Sequence, residues 1–156
     1  MKSELHPYVV FLPSNLKIKI LSGIFGSKAA VDILKFSLQH GITTKIYQKD
    51  LIRKLNYSNK TIILNLKALT KLGILTEEME KAEVNRRTVW IKTYQLSDSG
   101  RWFALLLAEE KDLSEKEKSD ILENLFRAYV RWVRSLSEQL QLEKEALVRV
   151  FKEEMQ

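Results

Sequence analysis

The sequence predicts an α+β, mostly helical chain: a compact domain carrying a β-hairpin, with a long helix appended. Apolar residues return at helical spacing in three short stretches before residue 73. Between Ile74 and Leu96 the pattern becomes alternating. From Ile121 to about Phe151 there is neither Pro nor Gly, and apolar residues recur every three or four positions.

The first 25 residues form a lead in which strand and helix patterns overlap, with Ser14 as a candidate N-cap favouring a helix. Residues 26–110 are expected to make the domain. Ser27 can cap a first helix whose Ala30, Ile33, Leu34 and Leu38 share one face, and Gly41 can close it, because glycine accepts positive φ. A second helix, roughly Tyr47 to Leu55, would bury Leu51, Ile52 and Leu55. Ser58 then caps a third, with Ile62, Leu66 and Leu69 in one stripe and Gly73 at its end. Two helices joined by a few turn residues fit a helix-turn-helix.

Beyond Gly73, Ile74 to Glu80 reads as a strand, Lys81 to Asn85 as a turn and Arg86 to Leu96 as the returning strand. A helix capped by Ser97 or Asp98 follows, through Trp102, Phe103, Leu106 and Leu107. Residues 111–156 open on a charged linker and continue into the long helix. Its Leu122, Leu125, Phe126, Tyr129, Trp132, Val133, Leu136 and Leu140 are expected to form a dimer interface, since so broad an apolar face needs a partner surface.

Composition narrows the function. With 45% hydrophobic and 29% charged residues among 156, the chain can bury a core and is not a disordered polyelectrolyte. No run approaches the roughly 18 apolar residues of a membrane span, and Tyr8–Leu12 is too short for a signal-peptide core. A cytoplasmic protein without membrane partners is expected. The absence of cysteine removes disulfides, thiolate metal centres and cysteine nucleophiles. No triad, phosphate loop or metal-ligand spacing surrounds His6 or His40, so neither an enzyme nor a cofactor is expected.

Net charge is +6, but the excess is uneven: residues 1–100 carry 16 Lys or Arg against 8 Asp or Glu, whereas residues 101–156 carry 10 against 12. A module facing nucleic acid, joined to a near-neutral module, would have this asymmetry. Residues 45–73 hold seven basic side chains against Asp50 alone.

Three strings resemble the winged helix-turn-helix transcription regulators, in particular the archaeal ArsR-like and MarR-like members. FGSKAAVDIL opens the first core helix, SNKTIILNLKALTKLGIL is similar to the family's reading helix and its Gly-containing end, and YQLSDSGR is similar to the segment closing the wing. Together they span about residues 25–101. The resemblance implies a winged helix-turn-helix domain with a β-hairpin wing and a C-terminal dimerisation helix, binding double-stranded DNA as a homodimer. One departure is Ile63-Leu64, where members commonly carry small polar or basic residues.

With Ile62 at the centre of the buried face, 100° per residue places Lys60, Leu64, Lys67 and Lys71 on the far side. Lysines there can neutralise phosphates and release counterions. Asn59, Lys60, Thr61 and Leu64 are best placed to meet base edges, and Leu64 suits a thymine methyl. Ser58, Lys45 and Lys49 complete the candidate patch, and Arg86 and Arg87, where the hairpin turns back, can reach phosphates or a narrow minor groove. Cross-strand ion pairs with Glu77, Glu78, Glu80 and Glu83 would instead hold those arginines to the hairpin. Trp90 and Tyr94 are expected in the core, with base stacking as the alternative. The competing functional class is a protein-interaction adaptor of a transcription or replication complex, for which Ile63 and Leu64 would be the contact surface.

Overall fold

The computed structural model describes Ser22, residues 25–109 and residues 111–156. The remainder of the expected N-terminal lead lies outside the described residues. The chain runs α1 (Lys28–His40), β1 (Ile46–Tyr47), α2 (Gln48–Lys54), α3 (Asn59–Lys71), β2 (Leu75–Val84), β3 (Arg87–Leu96), α4 (Asp98–Leu107), α5 (Glu115–Gln139) and α6 (Lys144–Glu154). The strands form one antiparallel sheet in the order β1-β3-β2. This α+β arrangement is compatible with a winged helix.

Helix starts follow hydroxyl caps. Ser27, Ser58, Ser97 and Ser114 each accept a hydrogen bond from a backbone N–H of the following turn, satisfying a donor that the helix itself leaves unpaired. The α1 face buries Ala30, Ile33, Leu34 and Leu38, and α3 buries Ile62, Leu66 and Leu69, in one core with Leu51, Ile74, Leu96 and Phe103. Phe25 meets Phe103 edge to face at 5.3 Å. Ser37, buried in α1, is satisfied by donating to the Ile33 carbonyl at 2.9 Å.

Gly73 closes α3 with a Schellman motif: its own N–H reaches the Thr70 carbonyl at 3.1 Å and that of Ile74 reaches Leu69 at 2.9 Å, with Gly73 at φ 74°. Ser97 then ties the hairpin's end back to this point, donating to the carbonyls of Gly73 and Ile74 at 2.5 and 3.0 Å. Gly100 is required here. A Cβ on it would stand 2.1 Å from the Ile74 carbonyl oxygen, which gives the Gly of YQLSDSGR a steric reason.

Three expectations need correction. The turn is not Lys81–Asn85 but the two residues Asn85 and Arg86, at φ 51° and 62°, because the strand register runs unbroken to Val84 opposite Arg87. Positive φ at both central residues is the hairpin geometry that matches strand twist. Trp90 is not core: it is 59% exposed, with the Lys81 ammonium 5.1 Å from its ring centre. Tyr94, on the same strand face, is buried.

The expected single helix from Ile121 to Phe151 is two helices. α5 begins earlier, at Glu115, where Ser114 and Glu117 form a reciprocal capping box inside the expected linker. It ends in a second Schellman motif, with Gln141 at φ 56° and the Leu142 N–H on the Ser137 carbonyl at 2.9 Å. α5 also joins the domain core, which continues past residues 110 and 111 through Leu113, Ile121 and Leu125. Among the described residues, no helix is long and apolar enough to cross a membrane.

Candidate nucleic-acid interface

The buried stripe of α3 fixes what its other side presents. Asn59, Lys60, Leu64, Lys67 and Lys71 are all exposed, with Leu64 at 55%. No carboxylate among the described residues pairs with Lys60, Lys67 or Lys71. The helix therefore offers three uncompensated charges along one ridge, with an apolar side chain among them.

At the start of α3 the hydroxyls are engaged locally. The Ser58 Oγ accepts from the Thr61 N–H at 3.1 Å and lies 2.9 Å from the Thr61 Oγ1. Ser58 and Thr61 thus serve the cap first, and the side chains left for an outside partner in that turn are those of Asn59 and Lys60. Asn65, which sequence periodicity did not single out, is buried and donates its amide to the Thr61 carbonyl at 2.8 Å.

Two tyrosines missed in the sequence hold the frame. Tyr57, in the turn before α3, donates its hydroxyl to the Asp32 carboxylate of α1 at 2.6 Å, and that bond raises its pKa. The start of α3 is thereby pinned to α1 through the turn. Tyr47 donates to Glu80 at 3.0 Å, which likewise raises its pKa, and Gln95 donates its side-chain amide to the Thr43 carbonyl. Both tie the hairpin's base to the segment that opens α2.

The same acidic strand engages one candidate. The Lys45 ammonium sits 2.8 Å from Glu78 and 3.8 Å from Glu80, and its pKa is raised, chiefly by the hydrogen bond to Glu78. Its charge is compensated in place, so it adds little to a phosphate-facing patch. Lys49 is exposed, 5.7 Å from the Tyr47 ring centre.

The hairpin carries Arg86 in its turn and Arg87 beside it, both exposed. Neither is ion-paired with a described carboxylate. The cross-strand pair expected of the hairpin is instead Lys92 with Glu77 at 3.1 Å. The two arginines thus stand at the tip of a hairpin of two ten-residue strands, with Glu83 one register position away opposite Thr88 and Glu77, Glu78 and Glu80 further down β2.

In the C-terminal element, Leu122, Phe126 and Leu140 are exposed, and Tyr129, Trp132, Val133 and Leu136 are half-buried. Leu125 departs from the expected interface: it is buried in the chain's own core, because the first turns of α5 pack on α4. Among the described residues, no three His, Asp or Glu side chains converge as a metal site would require.

No family model matches the sequence, and no curated protein matches it. Among solved structures the chain is similar to a possible transcriptional regulator from Methanosarcina mazei Go1, with 14% identity and a TM-score of 0.41, covering 79% of this chain and 84% of that one. A likeness at this distance assigns the chain neither a family nor a function.

Proposed function

We propose that the protein is a sequence-specific transcription regulator that binds double-stranded DNA as a homodimer, with α3 in the major groove and the β2–β3 hairpin against the backbone or the minor groove. The observation that carries this is the ridge of Lys60, Lys67 and Lys71, uncompensated and facing outward from a serine-capped helix. Charges so arranged displace counterions from a duplex, and Arg86 and Arg87 extend the patch from the hairpin tip. Asn59, Lys60 and Leu64 are the candidates for base edges. The ArsR-like or MarR-like kinship of this reading rests on the three sequence strings alone.

Gel-shift titration of random duplex at rising salt tests the proposal. Binding that weakens steeply with salt, with a selected sequence retained longest, is expected. No binding at 50 mM salt would overturn it.

A second reading, the protein-interaction adaptor, is favoured by one observation, the 55% exposure of Leu64 at the middle of the ridge. The two readings part at thymine. In a DNA reader, Leu64→Ala should cost on the order of 1 kcal/mol on a selected site, and replacing the contacted thymine by uracil should cost the parent a similar amount but the variant nothing further. Equal binding of parent and variant to both duplexes would favour the adaptor.

A further inference from the structure

The outer half of the hairpin carries an uncovered aromatic ring. On one face of β2 and β3 the register sets Glu77 opposite Tyr94, Met79 opposite Lys92, Lys81 opposite Trp90 and Glu83 opposite Thr88. Tyr94 is buried, whereas Met79, Lys92, Lys81 and Trp90 are all exposed. Cover by the domain therefore ends between Tyr94 and Lys92, and Trp90 lies on the part of the sheet that no helix backs. The Lys81 ammonium stands 5.1 Å from the Trp90 ring centre, yet 59% of the residue stays open to solvent. An indole left in water on the very hairpin read above as facing nucleic acid has no use in the core.

The surroundings of the ring select what it can receive. Residues 81–92 carry Lys81, Arg86, Arg87 and Lys92 against Glu83 alone. Lys92 is paired with Glu77 at 3.1 Å, and the other three cations have no described carboxylate as partner. Protein interfaces bury an apolar centre from which lysine is depleted. Here Trp90 and Met79 are the only exposed large apolar side chains of the face, and a lysine stands directly opposite each. One ring among cations matches instead one base with the phosphates on either side of it. Within a duplex both faces of a base are covered by its neighbours, so a base that meets Trp90 is an unpaired one.

We infer that the outer half of the hairpin is a single-strand site, at which Trp90 stacks an unpaired nucleobase and Lys81, Arg86 and Arg87 take the adjoining phosphates. This rests on the nucleic-acid reading above and extends it from the duplex on α3 to a strand on the hairpin. Stacking tolerates any base, because every base has a π-face. Sequence discrimination is thus left to α3, and the hairpin contributes a preference for unpaired DNA.

Fluorescence anisotropy of the full chain at 50 mM salt tests this with three labelled probes: an oligothymidine, an abasic strand of the same length and charge, and random duplex. The parent is expected to bind oligothymidine about tenfold or more tightly than the abasic strand. Trp90→Ala should lose that ratio and Trp90→Phe should keep part of it. Changing Lys60, Lys67 and Lys71 to Gln should weaken duplex binding and leave the ratio as it is. The indole also reports directly: oligothymidine should quench the tryptophan emission of the parent, and Trp90→Phe, which retains Trp102 and Trp132, should lose the quenching. Trp90 is exposed, so its variants should melt with the parent by circular dichroism, and the emission test does not depend on Trp90→Ala. Equal binding of the two strands by the parent, an unchanged ratio in Trp90→Ala, or quenching that survives in Trp90→Phe would overturn the inference. A Trp90-dependent ratio in a chain blind to duplex would uphold it and remove the duplex reading alone.

Discussion

The lysine ridge of α3 allows a quantitative test against an internal control. Each phosphate neutralised by a protein cation contributes about 0.9 to the slope of log affinity against log salt for duplex DNA. Lys60, Lys67 and Lys71 have no carboxylate partner among the described residues, so changing all three to Gln should lower the slope by about 2.7. Over a fourfold rise in salt that difference amounts to about a 40-fold smaller loss of affinity for the variant than for the parent. Lys45 supplies the control, since its ammonium is held by Glu78 at 2.8 Å and Glu80 at 3.8 Å. Lys45→Gln should leave the slope nearly unchanged. Fluorescence anisotropy of labelled random duplex between 50 and 200 mM salt measures both. An unchanged slope in the triple variant, or an equal drop for Lys45→Gln, would refute the assignment of the ridge to phosphates.

Two further predictions concern stability. Burial, then the Glu77 charge and hydrogen bond, push the Tyr94 hydroxyl up to about 12 from its usual 10. A raised folded-state pKa means the stabilisation is complete below pH 10 and is lost as pH rises towards 12; urea melts across that window should show the loss in the parent, and Tyr94→Phe should flatten it. Gly100→Ala puts a Cβ 2.1 Å from the Ile74 carbonyl, so backbone must move; chemical denaturation should register a cost of about 3 kcal/mol, and a loss below about 1 kcal/mol would show that the hairpin base yields freely.

Where the residue type states the backbone geometry, the sequence was readable. Ser27, Ser58 and Ser97 mark helix starts by their chemistry, and Gly73 marks the end of α3 because its φ of 74° is open to glycine at no steric cost. The end of α5 uses the same motif with Gln141 at φ 56°, and nothing in the identity of a glutamine announces that conformation. One continuous helix was therefore the natural reading of residues 121–151. The same limit explains Leu125. Periodicity places it on an apolar stripe, but only the packing of α5 against α4 tells which part of that stripe faces the chain's own core. The hairpin turn is a related case: Asn85 is a good turn residue, yet the cross-strand register that extends β2 to Val84 is set by pairing between strands.

The candidate site divides along the same line. The outward lysines of α3 follow from a buried stripe that 3.6-residue periodicity alone defines, so their exposure needed no tertiary information. Compensation of charge does need it. Lys45 and Lys60 are alike in sequence, and what separates them is that β3 brings β1 and β2 into one sheet, which sets Glu78 and Glu80 beside Lys45, whereas no acid among the described residues pairs with Lys60. The acidic strand thus serves two purposes through neighbouring residues: it holds the hairpin to the start of α2 through Tyr47 and Lys45, and it compensates Lys45 while leaving the lysines of α3 unpaired among the described residues. On the proposed reading, a duplex would meet the cations of α3 on a helix whose start is held by the Ser58 cap and by the Tyr57–Asp32 hydrogen bond. The proposed phosphate contacts would then fix a register on the duplex, because such contacts position a protein only when the groups making them are themselves held in place.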